Sequence, residues 1–301
     1  MNENDFLITE KFDKAHGIRD WVSSAKANPS LHLQRQAVAV LLAAIGLDDD
    51  LSNDLVLKGG TLMSIAFRSE RMTNDVDLTA TYEPTETVNR LQNELNDLMR
   101  RSSAALGYAT LRCRVQTIKR LPRAEGFPNE FTAPALSLTI AYAEQGTKSE
   151  RHLSTGKSST VVSVDISFKE QVFQKNELHL NHAGIKISSY SIADIIAEKM
   201  RATIQQIART HSRNRRQDIY DIAFLLRTQE ISNDDKQDIL NAFKMKCASR
   251  DIQINADTLD NPDIKAASGK EWETISLEVS DLPSFEECYD RVLRFYRSLP
   301  W

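Results

Sequence analysis

The chain has 301 residues, 41% of them hydrophobic and 27% charged, with a formal net charge of -4. That length accommodates one large domain or two modest ones, and that composition excludes a disordered chain. No apolar run approaches the ~20 residues that span a bilayer, so no membrane partner is expected. The polar, acidic start MNENDFLITEKFDKAHG gives no expectation of a signal peptide. Cys113, Cys247 and Cys288 lie far apart, which argues against a zinc ribbon or a disulfide framework and fits a reducing, cytoplasmic setting. A slightly acidic chain does not announce a nucleic-acid partner, so any basic surface must be local.

In chain order, Leu31 to Leu47 reads as a helix with a dense apolar face that includes Val38, Val40, Leu41, Leu42 and Ile45. A short strand, Leu55 to Leu57, runs into Gly59–Gly60 and a helix from about Leu62 to Arg68, and a second strand covers Val76 to Thr81. Pro84 suits the first turn of another helix, whose stripe is Val88, Leu91, Leu95 and Leu98 and whose natural stop is Gly107. Strand-like runs follow at Leu111 to Ile118, Ala135 to Tyr142 and Val161 to Phe168, the last after a Gly/Ser-rich link from Gln145 to Ser159. Beyond Ser191 the pattern is helical: Ile192 to Arg209, Asp218 to Arg227, Asp235 to Cys247 and Phe285 to Leu299. The expectation is an α/β domain over 1–190, a mixed sheet flanked by helices, followed by an all-helical domain over 191–301 in a bilobed molecule.

The segment LKGGTLMSIAFRSERMTNDVDLT, Leu57 to Thr79, carries the chemistry. Glycines let the backbone approach a phosphate closely, and a helix beginning near Thr61 offers free N–H groups and a positive dipole end. Lys58, Gly59, Gly60 and Thr61 are therefore nucleotide-binding candidates. Alternation along a strand puts Asp75 and Asp77 on one face and turns Val76 and Leu78 to the core. Two adjacent carboxylates repel unless a cation joins them, and hard Mg²⁺ (or Mn²⁺) is the natural occupant. A lone Asp-x-Asp is a weak signal; strand, Gly-Gly, helix and Asp-x-Asp in sequence is far more specific. Asp165 in VVSVDISF shares its face with Ser163 and Ser167, and is either a third metal ligand or part of a solvated strand face.

In SIADIIAEKMRATIQQIART, Ser191 and Asp194 resemble an N-capping pair, and Ile192, Ile195, Ile196, Met200, Ile204 and Ile207 form the buried stripe. Lys199 lies at the edge of that stripe, either snorkelling to solvent or held near an anion. Arg209, Arg213, Arg215 and Arg216 surround His211, then Asp218 and Asp221 fall three apart on one helical face. Asp218 is explained as a helix-start acid; Asp221, a turn further in, is explained less well that way.

GGT followed by NDVDL resembles the first motif of the nucleotidyltransferase superfamily. EKMRA and RRQDIYDI resemble the later motifs of its AbiEii/AbiGii toxin branch, which includes the mycobacterial MenT toxins. The resemblance implies a bilobed enzyme that uses Mg²⁺ and an NTP and is neutralised by a cognate antitoxin. Asp75 and Asp77 match the metal-binding pair, Gly60 and Thr61 the phosphate-holding turn, Lys199 the essential lysine and Asp221 the downstream acid. The chain departs from the pattern in a slightly long spacing from Gly60 to Asp75 and in Gln217, where a basic residue is usual. Asp218, Arg213 and Arg215 would assist at the nucleotide. The expected acceptor is an RNA, a tRNA 3′ end, contacted by the Arg209–Arg216 segment in toxin–antitoxin or phage-defence biology. The alternatives are nucleotidylation of a protein hydroxyl (AMPylation), a non-catalytic RNA-binding module, and, more weakly, a metal-dependent nuclease.

Overall fold

A computed structural model describes residues 17–82, 88–121, 135–180, 184–206 and 215–301, with the side chains of 88–90 excepted. Its contacts divide the chain into two units. The first comprises Met1–Arg68, Thr73–Glu170 and Asn176–Ser189; the second comprises Ser69–Met72, Gln171–Lys175 and Tyr190–Trp301. Two short segments that the sequence assigns to the N-terminal domain, 69–72 and 171–175, thus belong with the C-terminal helices.

The first unit opens with helices α1 (Ile18–Ser23), α2 (Pro29–Gly46) and α3 (Asp49–Asp54). Asn28 caps α2 by accepting from Leu31 N, and Pro29 occupies the first turn, where its missing N–H costs nothing. The residues Ala37 to Ile45 are all buried, so this half of α2 is enclosed on every side rather than amphipathic. Then come β1 (Leu55–Lys58), α4 (Gly59–Ala66), β2 (Asp75–Ala80), α5 (Val88–Ala105), β3 (Leu111–Leu121), β4 (Ala135–Glu144), α6 (Lys148–Ser154), β5 (Val161–Ser167), β6 (Lys175–His179) and β7 (Lys186–Tyr190). The mixed seven-stranded sheet has the order β3-β4-β5-β2-β1-β7-β6. β2 runs antiparallel to β1 and parallel to β5.

One sheet face is apolar: Leu55, Leu57, Val76, Leu78, Val164, Ile166, Leu136 and Leu138 are all buried. Leu91, Leu95 and Leu98 of α5 are buried as its stripe requires, while Pro84 and the Val88 side chain lie outside the described residues. The link from Gln145 to Ser159 contains a helix, α6, that the sequence conceals. Its residues are almost all polar, and only Leu153 is buried, against Ala141, Ala143 and Val161.

In the second unit the described elements after β7 are all helical: α7 (Ile192–Ile204), α8 (Arg216–Thr228), α9 (Asn233–Ala248), α10 (Pro262–Gly269) and α11 (Phe285–Arg297), with 3-10 turns at Thr258–Asp260 and Trp272–Leu277. Ser191 caps α7 by accepting from Asp194 N, and Ser232 with Asp235 forms a reciprocal capping box on α9. The hydroxyls of Tyr289 and Tyr296, both buried, donate to Leu259 O and Asn255 O, each at 2.6 Å. Among the described residues no helix is long and apolar enough to cross a membrane.

Candidate active site

The first unit places the predicted carboxylates by strand register. Asp77 on β2 pairs with Lys58 on β1 and with Asp165 on β5, and Asp165 pairs with Ser137 on β4. Register partners carry their side chains on the same face, so Asp77 and Asp165 are neighbours, with Asp75 two residues along that face. Asp75 and Asp165 are exposed and Asp77 is half-buried, while the intervening Val76 and Val164 are buried. Three hard oxygen donors from two adjacent strands therefore line one open surface.

Gly59 explains why the turn must be glycine. It has φ +69°, and a Cβ there would lie 2.9 Å from Asp77 Cγ and closer still to its Oδ2. The side chain of Asp77 thus lies against the start of α4, which begins at Gly59 rather than near Leu62. Thr61, also in the first turn of α4, is buried and donates its hydroxyl to Asp75 O at 2.7 Å. That bond ties the helix start to the first residue of the Asp-x-Asp strand. With its hydroxyl proton committed there, the group Thr61 offers a phosphate is its backbone N–H.

Lys58 is buried, and its ammonium pairs with Glu170, which also accepts from Thr79 Oγ1 at 3.2 Å. Glu170 escapes a sequence reading because it follows β5 in an irregular stretch with no motif around it. Among the described residues no group of three acidic, His or Cys side chains is arranged to hold an ion by itself. Mg²⁺ does not demand such a cage, since it binds through one or two carboxylates when phosphates and water complete its shell. The donor set of Asp75, Asp77 and Asp165 fits that requirement.

The second unit holds Lys199, Asp218 and Asp221 together. Lys199 Nζ donates to Asp221 Oδ2 at 2.6 Å and to Asp218 Oδ1 at 3.2 Å. The anion that holds this lysine at the edge of its apolar stripe is therefore the protein's own. Arg71 completes the cluster, with Nε and Nη2 on the two oxygens of Asp221 at 2.9 and 3.2 Å and Nη1 on Glu278 at 2.9 Å. Gln217, at the position where a basic residue was expected, donates to Glu278 at 2.7 Å. Arg215 approaches Asp218 at 3.4 Å. Arg71, Lys199 and Arg215 thus balance Asp218, Asp221 and Glu278 in formal charge. Arg213, with Arg209, His211 and Ile207, lies outside the described residues.

Burial and pairing oppose one another in this cluster. Burial pushes the Asp221 carboxyl up, but Lys199 and Arg71 outweigh it and hold the group below the usual carboxylate range. Burial pulls Lys199 down, but Asp221 and Asp218 outweigh it and hold the amine above its usual range. Arg71 was not visible from the sequence as a site residue. The signal is its place in the segment between the Gly-Gly turn and Asp75, where the spacing is slightly long: Ser69–Met72 is part of the second unit.

A second buried pair stands on α7 and α9. Lys246 bonds Asp194 at 2.9 Å and Gln171 O at 2.6 Å, and Asp194 also accepts from Phe173 N and Gln174 N at 2.9 and 2.8 Å. These bonds tie the segment 171–175 to the helices. Burial disfavours the thiolate at all three cysteines, pushing Cys113 and Cys247 up to about 12 and Cys288 up to about 11.

A strand entering a glycine-started helix and a returning strand with paired carboxylates beside a third define a nucleotidyltransferase. The chain belongs to the AbiEii family: residues 40–291 match the family described as nucleotidyl transferase AbiEii toxin, type IV TA system. It is accordingly a nucleotidyltransferase toxin of a type IV toxin–antitoxin system, a family that implies an NTP substrate, usually a divalent metal, and an antitoxin partner. Its fold resembles that of MenT4, a nucleotidyltransferase toxin from Mycobacterium tuberculosis H37Rv, with a TM-score of 0.54, 13% identity, and 93% of this chain and 88% of that one covered. A putative nucleotidyltransferase from H. pylori aligns with a TM-score of 0.49 and 12% identity over 90% of this chain and 95% of its own. No curated protein matches by sequence.

Proposed function

We propose that the protein transfers a nucleoside monophosphate from an NTP to the 3′ end of an RNA, a tRNA, in the cytoplasm. The reaction needs Mg²⁺ or Mn²⁺, serves toxin–antitoxin or phage-defence biology, and is silenced by a cognate antitoxin. The supporting observation is the register pairing of Asp77 with Asp165 above Gly59. Asp75, Asp77 and Asp165 would hold the ion, which supplies charge neutralisation at the phosphates. The N–H groups of Gly60 and Thr61 bind phosphate oxygens at the α4 start, where no side chain at Gly59 obstructs them. The RNA hydroxyl oxygen bonds to the α-phosphorus, the bond from that phosphorus to the bridging oxygen breaks, and pyrophosphate departs as the hydroxyl proton passes to solvent. Asp165, exposed on β5, accepts a hydrogen bond from that hydroxyl and orients it.

Lys199 matches the family's essential lysine, a cation suited to neutralising phosphate charge. Because its Nζ is shared between Asp221 at 2.6 Å and Asp218 at 3.2 Å, it meets an anion by loosening from Asp218. Asp221, fully buried with both oxygens bonded, is a positioning residue in this reading rather than a base or a metal ligand. Each α-³²P-labelled NTP, incubated with Mg²⁺ and total tRNA beside an Asp77→Ala control, tests the whole. Label on RNA that disappears in the variant is the expected result. Label on protein moves the acceptor to a protein hydroxyl, and no label on either overturns the reading.

A further inference from the structure

The transverse row through Asp77 and Asp165 continues beyond Ser137: Ser137 on β4 pairs with Lys119 on β3. Lys119 is exposed and projects from the carboxylate face, two strand spacings or about 10 Å from Asp165. β3 is the edge of the sheet. Along β3, Leu111 to Leu121, the chain contains Arg112, Arg114, Lys119 and Arg120 and no Asp or Glu, although the protein as a whole is acidic.

Simple alternation would put Arg112 and Arg114 on the opposite face from Lys119. It does not, because the ladder shifts by one residue between Val115 and Thr117. Arg112 and Arg114 pair with Ala143 and Ala141, Thr117 and Lys119 with Thr139 and Ser137, and these four β4 residues share one face. The bulged residue is anchored: Gln116 donates to Ser158 O at 3.0 Å and accepts from Ser158 N at 2.8 Å. Arg112 bonds Ala109 O and Gln145, and Arg114 bonds Ser154 O, all neutral acceptors that leave the guanidinium charges uncancelled.

We infer that Arg112, Arg114 and Lys119 form the docking track for the acceptor RNA backbone, leading its end along the β3 edge beside α6, which covers Ala141 and Ala143, and then across the row of Lys119 and Ser137 to Asp165 and Asp77. The inference rests on RNA being the acceptor. Charged side chains on an edge strand also discourage pairing with another sheet. That role requires neither a single sign of charge nor a bulge that gathers the cations on the carboxylate face. A polyanion requires both.

The test is fluorescence anisotropy of the full chain with labelled bulk tRNA over a series of salt concentrations. It compares the wild type, Arg114→Gln/Lys119→Gln, and Lys26→Gln as a control that removes one charge at an exposed position on the same unit. Each lost phosphate contact lowers the slope of log affinity on log salt by roughly 0.7 to 0.9. The double variant should therefore lose about 1.5 from that slope and roughly tenfold in affinity at low salt, with the control unchanged. Unchanged affinity and slope in the double variant, or no tRNA binding by the wild type, overturns the track. The labelling assay separates the two claims. tRNA binding that depends on Lys119 without label transfer keeps the track and sinks the transfer reading. Label transfer with an unaltered KM for tRNA in the double variant sinks the track and keeps the transfer reading.

Discussion

Asp77 and Asp221 each have a lysine for a near neighbour, yet their surroundings are opposite. Asp77 is half-buried on a strand face, where its register neighbours are Lys58, whose ammonium bonds Glu170, and a second carboxylate, Asp165. Asp221 is fully buried and receives bonds from both Arg71 and Lys199. The carboxylates of the sheet face line a surface that an outside cation can reach, whereas the cluster in the helices is buried among its own cations. An acid meant to bind a cation from outside must be reachable from solvent; an acid meant to hold other side chains in place is buried with them.

The largest expected effect breaks the comparison at its open end. Asp77→Ala should cost about a hundred- to a thousandfold in turnover, the scale of removing one preorganised electrostatic group from a reacting centre. It should move the melting temperature by no more than a few degrees, because the side chain is only half-buried on an open strand face. A melting temperature that falls by many degrees alongside activity would show that Asp77 is a structural acid.

Asp221→Ala reverses that pattern. Removing one partner of a buried ionic cluster typically costs 3–5 kcal/mol, or about that here, because Arg71 and Lys199 are left uncompensated. Chemical denaturation is the measurement. A loss below about 1 kcal/mol would mean that Asp221 contributes no more than a surface pair.

The linkage sharpens the same point. The Asp221 pKa is lowered in the folded protein, so its stabilisation is present above the ordinary carboxylate range and disappears as pH falls through the lowered value. The Lys199 pKa is raised, so its share is present below the ordinary lysine range and disappears as pH rises through the raised value. The stability gap between wild type and Asp221→Asn should therefore be level from about pH 5 to 9 and close below about pH 4. A gap that persists unchanged into strong acid would place its origin in packing rather than charge.

Next in size is Gly59→Ala. A left-handed backbone costs a non-glycine residue about 1–2 kcal/mol, and the added methyl displaces Asp77. Turnover should fall by far more than a lowering of a few degrees in melting temperature would explain. Proportionate losses would argue that the glycine serves only the turn.

The open site was legible in the sequence and the buried one only half so. Gly59, Asp75 and Asp77 lie within one short segment where alternation and turn chemistry act locally. The partnership of Asp165 with Asp77 needed the strand order, since α5, β3, β4 and α6 intervene in the chain. Arg71 and Glu278 meet Asp221 and Gln217 from sequence positions without motif or periodicity. Strands β6 and β7 went unseen because their short runs, KNELH and KISSY, mix polar and apolar residues without a strong strand signal. The bulge at Gln116, which decides the face on which Arg112 and Arg114 lie, leaves no trace in hydrophobic alternation.

The smallest expected effect compares two sets of arginines. The sequence pointed to Arg215 and Arg216 as backbone contacts for RNA, but Arg215 faces Asp218 at 3.4 Å and Arg216 faces Glu271 at 3.7 Å. A cation already beside a carboxylate contributes little to counterion release, because it must give up one anion to take another. Arg215→Ala/Arg216→Ala should therefore change the salt slope of tRNA binding by less than about 0.5, against about 1.5 for Arg114→Gln/Lys119→Gln. Equal slope losses in the two variants would mean that Asp218 and Glu271 release their arginines when RNA arrives. Lys199, which shares Asp218 with Arg215, would then gain a stronger hold on that carboxylate when RNA is bound.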